Sequence, residues 1–166
     1  MKTIPLTLGY FTKVDDEDYE KFAKKRWFAY VNQNYKHIVR AIRSEYRDGK
    51  RTTIVLAREI MGNPKGMMVD HKNGDTLDNR KSNLRICNRA ENGSNRGKQI
   101  NNKSGYKGVY WYKYTKKWKA QIKVKGKVMA LGYYFNKVDA AKAYNQASLE
   151  FHGEFANINI FRKLKG

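Results

Sequence analysis

Apolar and polar positions change rhythm several times along the chain, and each change predicts an element. In residues 1–14 apolar and Thr/Lys positions alternate loosely around Gly9, the pattern of short extended pieces with a bend. Asp15 then stands where a helix N-cap belongs, with Asp18 at the third helical position and Tyr19, Phe22 and Ala23 spaced along one face. Residues 27–31, 35–42 and 51–55 read as strands, with Asp48-Gly49 as a hairpin turn ahead of the last. A short helix over 56–61 ends before Gly62-Asn63-Pro64, because proline restricts its predecessor and Gly62 suits a helix C-terminus.

From residue 93 the pattern breaks down into GSNRGKQINNKS, where only Ile100 is a core candidate, and this stretch reads as a linker. Beyond it, GVYWYKYT, WKAQIKVKG and KVMALGYYF alternate apolar with polar or basic positions, predicting three antiparallel strands with turns near Lys116 and Gly126. Asn136 caps a helix with Asp139 as its third-position acid. Val138, Ala141, Tyr144, Ala147 or Ser148, and Phe151 recur on one face of it. One amphipathic helix over a three-stranded sheet is the smallest two-layer arrangement that buries both apolar surfaces. The expected architecture is α+β in two modules: residues 1–97 with a small mixed unit at the start, a linker over 98–103, and a sheet-and-helix unit over 104–166.

Charge changes the picture from fold to partner. The chain carries 35 Lys and Arg against 15 Asp and Glu, net +20, and no acidic residue falls between Glu91 and Asp139. Residues 98–166 alone hold 15 basic and 3 acidic side chains. Such a field draws a polyanion. No long apolar run, lipidation site or basic amphipathic helix accompanies it, so nucleic acid is expected and a membrane is not. Cys87 is the single cysteine, which excludes an intrachain disulfide and a cysteine-cluster zinc site and fits a reducing interior. Pro5 and Gly9 interrupt the stretch where a secretory signal would need an apolar core. A cytoplasmic, nucleoid-associated protein is expected.

Candidate chemistry gathers at VDHKNGDTLDNRKSNLRICNRAEN. Histidine accepts a proton near neutral pH, and a divalent cation neutralises charge on a phosphoryl group. Asp70 immediately precedes His71, and in a strand such neighbours face opposite ways unless the strand's edge or turn redirects them. Asn73-Gly74-Asp75 marks a turn, residues 84–86 a strand, and Asn88 with Glu91 the start of a helix carrying Asn92. Oxygen donors of this kind suit Mg²⁺ or Mn²⁺. Arg80, Arg85 and Arg89 are candidate phosphate contacts. His37 and His152 lack such surroundings and read as structural or exposed.

Residues 69–96 resemble the HNH endonucleases, in particular phage and intron-associated homing endonucleases: the family's DH pair falls on Asp70-His71, its Asn beside Leu on Asn83-Leu84, and its final His or Asn on Asn92. That resemblance implies a ββα-metal motif in which His71 is the general base, Asp70 and Asn92 hold the ion, and Asn83 braces the loop and orients His71. Asn95 competes with Asn92 for the last role.

In the second module, GYKGVYWY, WKAQIKV, LGYYF and AAKAYNQASLEFHGEFANIN resemble the AP2 domain, which reads the DNA major groove. This resemblance places Tyr110, Tyr112, Gln121 and Lys123 among DNA-facing positions, with Lys113 and Lys119 nearby. The sequence departs from plant members by its tyrosines and by one extra residue before Trp118 and another in LGYYF, so their target sequence does not transfer. Trp118 and Phe135 are expected in the core.

Together these features predict a Mg²⁺- or Mn²⁺-dependent endonuclease acting on double-stranded DNA as a monomer, without a small-molecule cofactor. The competing readings are a DNA-binding regulator with an inactive nuclease module and a module for structured RNA.

Overall fold

The computed structural model describes residues 1–35 and 38–161; His37 and part of the strand expected over 35–42 lie outside them. The chain forms two compact units, Met1–Arg89 and Ala90–Gly166.

In the first unit, strands β1 (Lys2–Pro5) and β2 (Phe11–Val14) pair antiparallel across a 3₁₀ turn at Thr7–Gly9. Helix α1 (Asp16–Ala23) follows, with Asp15 as its N-cap. Strands β3 (Phe28–Val31), β4 (Val39–Arg47) and β5 (Lys50–Val55) make an antiparallel sheet in that order. Asp48 and Gly49, at φ 50° and 71°, supply the paired positive dihedrals of a two-residue hairpin. Helix α2 (Leu56–Ile60) ends at Gly62, whose φ of 74° is the left-handed geometry that stops a helix. The core is Ile4, Leu6, Val14, Phe22, Trp27, Ala41, Ile54 and Leu56. The indole of Trp27 donates to the Phe22 carbonyl, satisfying its buried N–H.

Next in the chain come β6 (Met68–His71) and β7 (Leu84–Cys87), an antiparallel pair, and then α3 (Arg89–Asn95), giving the ββα order expected for this stretch. α3 thus runs into the stretch read as a linker, and Ile100, the one core candidate there, is 97% exposed.

The second unit holds the expected three strands, β8 (Val109–Tyr112), β9 (Lys117–Val124) and β10 (Lys127–Tyr134), in the antiparallel order β10-β9-β8, with α4 (Lys137–His152) packed on one face. Ala140, Ala141 and Ala147 let the helix lie close to Val109, Ala120 and Ile122. Gly108 marks the tightest approach: a Cβ there would stand 2.0 Å from the Tyr144 ring, and its φ is 75° besides. Register shifts between Ala130 and Gly132, a bulge at Leu131. Trp118 packs against the core as expected, in edge contact with Trp111. Phe135 does not. It is 85% exposed just beyond the end of β10, where the alternation reversed by the bulge leaves it beside Lys117, whose ammonium lies 4.3 Å from its ring.

Candidate functional site

His71 closes β6 and is 9% exposed. Its Nε2 lies 3.0 Å from Asn79 Oδ1. The Asn79 amide is itself fixed, because its Nδ2 donates to Thr12 Oγ1 at 2.7 Å while the Thr12 hydroxyl donates to the Leu77 carbonyl. With that hydroxyl's proton committed, Asn79 presents oxygen to the imidazole, so Nε2 carries the ring proton and Nδ1 the basic lone pair. Burial holds the His71 pKa below its ordinary value. The Asn79 bond and the charges of Asp70 and Asp75 oppose that shift, and Arg40 adds to it. The neutral ring is thereby favoured, the form a general base needs.

The loop from β6 to β7 is stitched from both sides. Asn83 Nδ2 donates to the Asp78 carbonyl, and Asn83 Oδ1 accepts from the Asn73 amide. Asp78, 1% exposed, takes both arms of the Arg80 guanidinium and the Asn73 side chain, and Arg80 holds its carboxyl below the usual range. From outside the loop, the Lys13 amide donates to Leu77, the Asn79 amide to Lys13, and the Lys81 amide to the Asp15 carboxylate. Asn83 therefore bonds the loop at Asn73 and Asp78, and the Asn79 side chain bonds the His71 ring. Asn79 stands in the LDNR run, where the sequence alone does not separate it from a turn former. Thr12, 67 residues away, gives no sequence signal at all.

Asp70 and Arg85 sit opposite one another in the β6–β7 ladder. Arg85 donates to Asp70 Oδ2 from Nε at 3.0 Å and from Nη2 at 2.8 Å, with both side chains buried. Arg85 is thus an interior ion-pair partner, while Arg80 is half-buried against Asp78 and Arg89 is exposed at the start of α3. Asp70 and His71, neighbours in the strand, meet different partners.

Asn92 and Asn95 are half-buried on α3. The far end of that helix is held within the second unit: Lys107 Nζ donates to the Ser94 carbonyl, Asn157 Nδ2 to the Asn95 carbonyl, and His152 Nδ1 lies 3.3 Å from Ser94 Oγ. Burial brings the Lys107 ammonium down to about 8. His152, read as structural or exposed, is a structural contact of α3.

Among the described residues no three His, Cys, Asp or Glu side chains form a metal-binding cluster. The carboxylates of the ββα stretch are Asp70, bound by Arg85, Asp78, bound by Arg80, and Asp75 and Glu91, beside several amide oxygens. Such a set fits a hard cation that keeps much of its water, as Mg²⁺ does, and not a thiolate-bound zinc.

On the second sheet, cross-strand register puts Tyr110, Tyr112, Lys117, Lys119, Gln121, Lys123 and Tyr133 on the face away from α4. Lys119 lies 5.7 to 5.8 Å from the rings of Tyr110, Tyr112 and Tyr133, and the Tyr110 hydroxyl donates to Gln121. Lys113 lies beyond β8 with its ammonium 5.1 Å from the Tyr114 ring. No helix among the described residues is long and apolar enough to cross a membrane.

Comparison with known proteins supplies a family. Residues 54–94 match a family model described as HNH endonuclease. Protein 3.8 of Escherichia phage T7 is 31% identical over 96 residues, which cover 56% of this chain and 76% of that protein. No solved structure matches.

Proposed function

The chain belongs to the HNH nuclease superfamily, and from that premise we propose that it is a site-specific DNA endonuclease, a phage or intron-type homing enzyme that hydrolyses one phosphodiester at a time beside His71. The observation that supports this reading is the Thr12–Asn79–His71 chain of hydrogen bonds, which orients the imidazole and favours a proton on Nε2. In the proposed reaction the neutral ring takes a proton from water as the oxygen attacks phosphorus. Asp70 and Asn92 are the proposed holders of Mg²⁺ or Mn²⁺, which when bound neutralises charge on the phosphoryl group and the departing oxygen. Asn83 keeps the loop in shape, and Arg80 and Arg89 stand as proposed phosphate contacts; Arg85 joins them only if it leaves Asp70.

The sheet of the second unit, which resembles AP2 domains, is proposed to lie in the major groove, about 12 Å wide. Tyr110, Tyr112, Lys113, Lys119, Gln121 and Lys123 are its contacts with bases and phosphates. One base per chain implies a nick, and two chains or two successive events a double-strand break.

A second reading rests on the buried Asp70–Arg85 pair, since a carboxylate held by a guanidinium is not set to receive a cation. On this reading the nuclease module is inactive and the protein regulates by binding. The two separate on supercoiled plasmid carrying the natural locus, with Mg²⁺ or Mn²⁺ and binding measured in parallel. Nicking by the wild type, lost in His71→Ala with binding retained, establishes the nuclease. Binding without nicking establishes the regulator.

A further inference from the structure

The sheet of the first unit has a solvent face that none of the roles assigned so far uses. Register places Phe28, Tyr30, Arg40, Tyr46, Arg51 and Thr53 on one side of β3–β4–β5, because Phe28 pairs with Ile42, Tyr30 with Arg40, and Tyr46 with Arg51. The opposite side carries Ala41 and Ile54 into the core.

Burial would be the ordinary fate of three aromatics on one sheet, yet Tyr46 is 75%, Tyr30 47% and Phe28 36% exposed. Arginines accompany them. Arg26 lies with its guanidinium 5.4 Å from the Phe28 ring, Arg51 reaches across to the Ser44 hydroxyl, and Arg40 is exposed beside Tyr30. Glu45, the carboxylate within these strands, points to the other side, where Arg43 binds it, and Asp48 lies in the turn. A face that combines arginines with open aromatic rings and turns its strand carboxylate away matches a phosphate backbone with sugars and bases behind it.

We propose that this face is a second contact surface for the DNA duplex, with Arg40 and Arg51 on phosphates and Tyr30 and Tyr46 packed against sugar or base edges. The inference rests on the endonuclease reading for its ligand. Its position supports it: Thr76, in the loop that follows His71, donates to the carbonyl of Val39, the neighbour of Arg40, so the face and the candidate base are tied together within one unit. A strand pair of this width also fits a major groove. The duplex is then held by both units, the first acting next to the bond to be cut.

The test uses the full chain and a fluorescently labelled duplex of mixed sequence, with affinity measured by anisotropy over a range of salt. Each lost phosphate contact lowers the slope of log affinity against log salt by about 0.9. Arg40→Gln with Arg51→Gln is expected to lower it by about 1.8, while Lys24→Gln with Lys65→Gln, an equal loss of exposed charge elsewhere in the unit, leaves it unchanged. Thr53→Glu, a carboxylate set into the exposed face, is expected to weaken duplex binding about tenfold at unchanged thermal stability. An unchanged slope for the arginine pair, or an equal drop in the lysine control, overturns the proposal. So does a Thr53→Glu effect on self-association by sedimentation without one on DNA, which would make a second copy the occupant. Plasmid nicking by the wild type and by His71→Ala is scored separately, so the surface can fail while the nuclease reading stands, and the reverse.

Discussion

At the scale of single residues, the Asn79 amide decides what His71 can do. A buried imidazole with an unpartnered nitrogen would be free to choose its tautomer; here Thr12 and Asn79 choose it. Asn79→Ala is expected to slow nicking by about fivefold, the kinetic equivalent of one hydrogen bond of roughly 1 kcal/mol. The same substitution carries a sign. Burial lowers the His71 pKa and the Asn79 bond opposes that shift, so the acid limb of the wild-type rate lies below the ordinary histidine value of about 6.5, and in Asn79→Ala it moves further toward acid. A pH–rate profile of both proteins checks position and direction together. Folding stability follows the same linkage: the contribution of His71 is complete above the unfolded value and is lost as pH falls from there through the lowered folded one.

At the scale of elements, the β6–β7 ladder is pinned by charge where most ladders rely on apolar pairs. Removing one partner leaves the other buried and uncompensated, so Arg85→Met is expected to destabilise the protein by about 3–5 kcal/mol, whereas Asp70→Leu combined with Arg85→Met should recover much of that loss. Denaturant midpoints of the single and double variants measure the coupling. The elements themselves were largely legible in the sequence. The hairpin at Asp48-Gly49, the stop at Gly62, the N-cap Asn136 and the three final strands all announce themselves through local chemistry that needs no distant partner, whereas the Asp15 carboxylate is taken by the Lys81 amide. Phe135 departs from its expected core position because the bulge at Leu131 reverses the alternation of β10, and a bulge leaves no mark in a simple two-residue period. The site was half legible: His71, Asp70 and Asn83 are marked by motif, but Asn79 gains its role from Thr12, and a contact between residues so far apart leaves no spacing to read.

At the scale of the whole molecule, the +20 charge is spread along the chain, with 15 of its 35 basic residues in 98–166. The second sheet offers Lys119 and Lys123 on a tyrosine-rich face away from its helix. Lys119→Gln with Lys123→Gln is therefore expected to lower the salt slope of duplex binding by about 1.8. An unchanged slope in an anisotropy titration would remove that face from the interface. One consequence concerns how the protein is made. Residue 12 emerges from the ribosome long before residue 79, and the hydrogen bonds that set the imidazole exist only when both are present. A translation product begun at an internal methionine such as Met61 or Met67 keeps residues 69–96 but lacks Thr12 and the first unit's core. Its imidazole would lose that orientation, so on the proposed endonuclease reading the shorter product is expected to nick plasmid far less than the full chain.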